Sequence, residues 1–291
     1  MNTRESLNPQ SDLKTDATHS VLESVISGLI EPRQDAPESY KPTLISNRPG
    51  DLTMHDEISD ALTNSDSFDI SVAFVSPDAI LSLFEDFRSH HANAPEQVSR
   101  LITSTKNHFN DPRAFWELLH LQRTAGVDVR VWAGSDSSVS VAQGQPFHPK
   151  GYVFSRRMRN GTPYYDLFVG SSNLTGAALN TQREWNLKVS SLANGELVAQ
   201  VRDEIDSQIA DSKPLTEEWI KQYEEDFKKY APPRRDILKS LEGREIQPNA
   251  MQKEALASLK KLREQGEHRA IIVSATGTGK TYLSAFDVRE Y

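Results

Sequence analysis

Phe68-Asp-Ile-Ser-Val-Ala-Phe-Val75, followed at once by Ser76-Pro77, is the stretch on which the fold turns. It is mostly apolar and too short for a buried helix, so it reads as a largely buried strand. Ser76-Pro77 then supplies a cap residue and a proline whose fixed φ suits the first helical turn. Ile80, Phe84 and Phe87 give that helix a buried face. Toward the C-terminus the alternation repeats. Leu101-Ile-Thr-Ser-Thr105 reads as a second strand. Asp111-Pro112 opens a helix whose inner face is Phe115, Leu118, Leu119 and Gln122, and Val127 to Trp132 reads as a third strand. A β-α-β-α-β order predicts parallel strands with helices on the sheet faces.

Three more strand-like runs follow at His148–Phe154, Tyr164–Val169 and Trp185–Ser190. Asn160-Gly161, between the first two, is a hairpin-turn signal. A helix is predicted over Glu196–Ala210 through Leu197, Val201, Ile205 and Ile209, and another after Thr216 through Trp219, Ile220, Tyr223 and Phe227. Toward the N-terminus, residues 1–19 are polar and read as disordered. Val21, Leu22, Val25, Ile26, Leu29 and Ile30 then recur at helical spacing. The expected organisation is a disordered or short helical segment over 1–45, an α/β domain over 46–212, a helical linker over 213–244 broken at Pro232-Pro233, and a separate segment over 245–291. The expected fold class is α/β, a mixed and largely parallel sheet flanked by helices.

Composition narrows the function. The 291 residues contain no cysteine, which excludes disulfides and thiolate metal sites and suits a reducing cytoplasm. There is no basic start followed by an apolar run, and no apolar stretch approaches the roughly 20 residues needed to span a bilayer. A cytoplasmic protein without a membrane partner is expected. The formal charge of −8 argues against a wholly basic surface. Between Pro146 and Ser190, however, six basic residues (Lys150, Arg156, Arg157, Arg159, Arg183, Lys188) face two acids (Asp166, Glu184). This strip is expected to steer a polyanion.

His148-Pro-Lys150 lies at the start of one predicted strand and Gly170-Ser-Ser-Asn173 at the end of another, with Glu184 eleven residues further on. Residues two apart on a strand point to the same face, so His148 and Lys150 place an imidazole beside a fixed positive charge. A neutral imidazole can attack phosphorus. Lys150, the Asn173 amide and a hydroxyl of Ser171 or Ser172 can meet the developing charge on the phosphoryl oxygens. A carboxylate such as Glu184 can hold one imidazole nitrogen and fix the tautomer. No metal is needed in this scheme. A lone His-x-Lys is common, Asn173 alone suits a turn or cap, and Glu184 alone suits a surface; the order and spacing of all of them carry the inference.

Phe147-His-Pro-Lys-Gly-Tyr-Val-Phe154 with Val169-Gly-Ser-Ser-Asn-Leu-Thr175 and Glu184-Trp-Asn186 resembles the phospholipase D superfamily, above all its nuclease branch. That branch includes metal-independent restriction endonucleases and the N-terminal domains of restriction-type helicases. The resemblance covers residues 55–210. It implies that His148 is the nucleophile, that Lys150 and Asn173 hold the phosphate, and that Glu184 positions a catalytic histidine. The broader superfamily carries an aspartate five residues after the lysine; Ser155 stands there. The nuclease branch lacks that aspartate too and uses the downstream glutamate, so the departure favours nuclease over lipase. Only one such motif occurs, which implies a homodimer with a shared active site.

A second constellation, Ala270-Ile-Ile-Val-Ser-Ala-Thr276-Gly277-Thr278-Gly279-Lys280-Thr281, is an apolar strand running into a glycine-rich loop. In such a loop backbone amides wrap phosphate, Lys280 reaches the outer phosphates and Thr281 meets magnesium. Ser274 stands where the first glycine of the simple pattern would be. The run resembles superfamily 2 helicases, and Gln252, twenty-eight residues before Lys280, matches the glutamine they place upstream to read adenine. ATP and Mg2+ are the cofactors this implies for a full-length motor. Residues 245–291 are expected to be the truncated beginning of a motor domain, so ATP hydrolysis by this chain alone is not expected. The functional expectation is a metal-independent DNA nuclease tied to a restriction or repair helicase. The alternatives are a non-catalytic DNA-loading module and a lipid phosphodiesterase.

Overall fold

The structure is a computed structural model and describes residues 9–105, 108–132, 147–230, 250–267, 269–272, 283–284 and 286–288. The chain divides into two compact units, Met1–Ala231 and Pro232–Tyr291.

Among the described residues, the first unit is built on one sheet of eight strands. These are β1 (Thr43–Ile45), β2 (Ser67–Val72), β3 (Arg100–Thr103), β4 (Asp128–Trp132), β5 (Lys150–Arg157), β6 (Pro163–Gly170), β7 (Asn186–Leu192) and β8 (Ser212–Pro214), in the spatial order β1-β7-β6-β5-β2-β3-β4-β8. The sheet is mixed and flanked by helices, but its parallel part is smaller than expected. Only β2–β3 and β3–β4 run parallel. The β1–β7, β7–β6, β6–β5, β5–β2 and β4–β8 pairs are antiparallel. The physical reason lies in the connections. Helical crossovers join β2, β3 and β4, whereas β5 and β6 form a hairpin, which can only be antiparallel. At its turn Gly161 has φ +84° and donates to Met158 O (2.8 Å), while Met158 N donates to Thr162 O (2.9 Å).

The helices are α1 (Pro9–Leu29), α2 (Met54–Thr63), α3 (Pro77–Ser82), α4 (Phe84–Asn93), α5 (Pro112–Ala125), α6 (Gly176–Asn180), α7 (Glu196–Ala210) and α8 (Glu217–Tyr230). Local chemistry fixes several ends. Thr53 and Asp56 form a reciprocal capping box at the start of α2. Asp111 caps α5, Pro112 occupies its first position, and Gly126 ends it at φ +61°. Ser76 behaves differently from expectation: its hydroxyl makes no cap bond and instead accepts from Gly176 N (3.2 Å), tying α3 to the loop after β6.

Two cores result. On one sheet face Phe68, Ile70, Val72, Tyr152, Phe154 and Phe168 meet side chains of α2 to α6 and α8. On the other, Val198 and Ile205 of α7 cover Ala73, Ile102, Val153 and Leu167. Each fully buried side chain of this size contributes about 1.5–3 kcal/mol by leaving water.

Two boundaries differ from the sequence-based expectation. The helix α1 begins at Pro9, inside the stretch read as disordered, and Ala17 and Val21 pack against Met158, Tyr164 and Leu192. Tertiary burial stabilises what local composition does not. Residues 213–230 are not a linker. The strand β8 pairs with β4, Ile220 and Tyr223 of α8 enter the main core, and Trp116 donates to Glu224 (2.7 Å). The remainder of the expected linker, 231–244, lies outside the described residues.

In the second unit, α9 (Ala250–Glu264) carries Gln252, which is buried. The loop Thr276-Gly277-Thr278-Gly279-Lys280-Thr281 lies outside the described residues. Among the described residues no helix is long and apolar enough to cross a membrane.

Candidate active site

The site forms where β2 and β6 end and β5 begins. His148 lies just before β5, and Lys150 is the first residue of that strand. The segment leading in is anchored by Phe147, which is buried and stacks on Trp132 with ring centroids 5.1 Å apart. Pro149 O accepts from Ala73 N (3.1 Å), which binds this segment to the end of β2. The Lys150 ammonium lies 2.9 Å from Nδ1 and 3.2 Å from Nε2 of His148, and 3.3 Å from its carbonyl oxygen. An ammonium has only donors, so a ring nitrogen in contact with it presents a lone pair. His148 is exposed to solvent.

Phe74 brings His148 and Asn173 together. Its ring meets the His148 ring edge-to-face at 5.6 Å. Its backbone N–H donates to Asn173 Oδ1 (3.2 Å), and its carbonyl accepts from Leu174 N (3.1 Å). Because a backbone donor holds the oxygen of the Asn173 amide, the opposite NH2 end is the one available to an anion. A single parallel bridge, Val75 with Leu174, locks the two segments in register.

The loop from Gly170 to Asn173 is held from beneath. Asn186, which is buried, accepts from Ser172 N (3.1 Å) and donates to Ser172 Oγ (2.8 Å). Tyr152 donates to Ser172 O (3.0 Å), and burial, reinforced by the Glu184 charge, pushes its phenol well above the usual range. At Gly170 a Cβ would collide with the carbonyl oxygen of Trp185, so only glycine lets β6 run this close to the start of β7. On the β2 side the buried Asn110 performs a similar task. Its side chain accepts from Val75 N (2.9 Å) and donates to Ala73 O (3.2 Å) and Ser104 O (2.5 Å).

Glu184 accepts from Ser171 Oγ, and the same oxygen accepts from Trp185 N (3.0 Å). The Ser171 hydrogen is thus directed at a carboxylate rather than outward. His148 and Asn173 meet at Phe74, with Lys150 against the His148 ring, while Ser171 and Glu184 form a pair at the β6–β7 side of the same loop.

The basic strip does not survive folding as a free surface. Arg156 pairs with the buried Asp166 (2.9 Å) and with Asp60 (3.3 Å), Arg157 with Asp66 (2.8 Å), and Lys188 with Glu57 (3.0 Å). These acids, apart from Asp166, come from α2 and the turn after it, far away in sequence. Arg159 and Arg183 are the basic residues of the strip for which no ion pair is found among the described residues.

Phe74, Asn110 and Asn186 had no assigned role in the sequence. Asn186 stands in the quoted Glu184-Trp-Asn run, which was the one available signal for it. Phe74 orients Asn173 through its backbone N–H, and the Asn110 side chain bonds backbone groups of Val75, Ala73 and Ser104; no side-chain pattern in the sequence announces either. Among the described residues no group of three or more His, Cys, Asp or Glu is placed to hold a metal ion.

Two family models match this sequence. That of a "Cardiolipin synthase, PLD-like domain" matches residues 56–209, and that of a "Type III restriction enzyme, res subunit" matches residues 245–291. No curated protein matches. Among solved structures, NucT from Helicobacter pylori is similar at 12% identity and TM-score 0.44, over 60% of this chain and 99% of that one. Nuc from Salmonella typhimurium, a phospholipase D family member, is similar at 13% identity and TM-score 0.41, over 60% and 98%. Polyphosphate kinase from Porphyromonas gingivalis is similar at 14% identity and TM-score 0.42, over 60% and 27%.

Proposed function

This chain belongs, through residues 56–209, to the phospholipase D-like family, and from that premise we propose that it is a DNA phosphodiesterase that cuts without a metal ion through a phospho-histidine on His148. The observation that carries the proposal is that Phe74 joins the His148 imidazole to the Asn173 carboxamide, while the Lys150 ammonium lies against that imidazole. A nitrogen of His148 attacks phosphorus, forming a P–N bond as a P–O bond breaks. The leaving oxygen takes a proton from an acid, for which His148 of a second copy of this chain is the candidate. Water then displaces the imidazole, releasing a phosphomonoester. Lys150 and the Asn173 amide neutralise charge on the phosphoryl oxygens, the task a metal performs elsewhere. The helicase-type fragment at residues 245–291 supports DNA as the substrate and a restriction or repair helicase as the setting.

Plasmid DNA incubated in excess EDTA tests this. Cutting is expected to persist in the chelator and to vanish in His148→Ala. Cutting that stops in EDTA and returns with Mg2+ would refute the metal-free scheme. DNA binding without cutting would establish a loading module instead.

A further inference from the structure

Two large aromatic side chains stand exposed beside the site, one on each side. Phe109 follows β3 and is 53% exposed, and Trp185 precedes β7 and is 74% exposed. Both are fixed to the catalytic groups. Phe109 meets Phe74 edge-on at 5.5 Å, and Phe74 meets His148 at 5.6 Å. Trp185 N donates to Ser171 Oγ (3.0 Å), and Trp185 O accepts from Ser171 N (3.1 Å). The sheet order β7-β6-β5-β2-β3 sets the phosphate-binding groups, which come from β5 and β6, between the two rings. Neither ring belongs to the core clusters of the first unit.

We propose that Phe109 and Trp185 are stacking platforms for unpaired nucleobases on the two sides of the scissile phosphate, which makes single-stranded nucleic acid the preferred substrate. The inference rests on the phosphodiesterase reading given above. In a duplex the π-faces of the bases are covered by their neighbours, and only their edges are open in the grooves. Exposed rings beside a phosphate site therefore gain nothing from a stacked duplex. Unstacked bases offer a face to each ring, and such stacking tolerates any sequence. That agrees with a site at which the donors address the backbone alone.

The test compares three substrates: bis(p-nitrophenyl) phosphate, a short single-stranded oligonucleotide, and the same sequence as a blunt duplex. The single strand is expected to be cut at least about tenfold more efficiently than the duplex by kcat/KM. Phe109→Ala and Trp185→Ala should each raise KM for the single strand about tenfold, as expected for the loss of one stacked base, with kcat nearly unchanged. Hydrolysis of the small diester should not change in either variant, and Phe109→Trp should restore the single-strand KM. Unaltered single-strand KM in both alanine variants, with the small diester still hydrolysed, overturns the stacking proposal and leaves the phosphodiesterase reading intact. Failure of the wild type on all three substrates overturns both. If the Trp185→Ala defect disappears at high protein concentration and sedimentation shows a dimer falling apart, Trp185 is a contact between copies and its assignment to bases is overturned.

Discussion

The backbone N–H of Phe74 donates to the side-chain oxygen of Asn173 across 3.2 Å. The bond orients the amide, because only one end of a carboxamide can accept from an N–H. Asn173→Asp keeps an acceptor for Phe74 while replacing the outward NH2 donor with a negatively charged oxygen. The variant should fold with a melting temperature near that of the wild type. Its kcat/KM on a phosphodiester should fall by about a hundredfold or more, the scale seen when a preorganised donor is lost. Paired thermal melts and rate measurements decide it; a strong loss of stability with normal residual turnover would show that the bond is structural only.

Lys150 contacts the imidazole and is proposed to hold the phosphate, so Lys150→Ala should weaken both binding and chemistry. The expected outcome is a rise in the Kd for inactive-state DNA binding and a fall in kcat by about a hundredfold. Titration of DNA into His148→Ala, with and without the added Lys150→Ala change, separates the binding part from the rate.

Glu184 and Ser171 share one hydrogen bond, and Ser171 also receives Trp185 N. Glu184→Gln should keep DNA binding and lose cleavage. Because the two residues form one unit, Ser171→Ala added to Glu184→Gln should cost less than the two single losses combined. A double-mutant cycle on kcat that proves additive would separate their roles.

Arg156 is expected to act on stability rather than on DNA. Asp166 is buried beneath it and also accepts from Ser190 (2.5 Å), so Arg156→Gln leaves a buried carboxylate without its cation. Breaking such a pair costs about 3–5 kcal/mol. Arg183→Gln should instead leave stability unchanged and weaken DNA binding, reducing its salt dependence by about one counterion. Denaturant titration and salt-dependent binding of the two variants check the contrast.

His90 makes folding sensitive to acid. It is buried, its Nδ1 lies 3.1 Å from Leu62 O, and its Nε2 lies 3.0 Å from Ser99 Oγ. The carbonyl requires a donor, so Nδ1 carries the proton and Nε2 accepts from Ser99. Burial lowers the imidazole below its ordinary value of 6.5. The unfolded chain therefore binds the extra proton first. The stabilisation is fully present above about pH 6.5 and is lost as pH falls through the lowered folded value. Melting curves from pH 7.5 to 5 should show a decline that is shallower in His90→Gln.

The elements around the site were largely legible in the sequence because their signals are local. The Phe68–Val75 run, the Asp111-Pro112 helix start, the Asn160-Gly161 turn and the His148-Pro-Lys150 spacing each depend on a few neighbouring residues. The direction of β5 was not, because alternation marks a strand without fixing its partner. Nor was the role of Phe74, whose backbone groups are the same in every residue and gain their function only from where Asn173 arrives.

By itself the sequence determined which residues were proposed for phosphate chemistry, and on which local elements they sit. Only the tertiary structure decided which charges remain for a ligand. Arg156, Arg157 and Lys188 look available when counted along the chain, yet Asp60, Asp66 and Glu57 reach them from more than ninety positions away. Electrostatic energy depends on distance through space, and a linear count of charges contains no such distances.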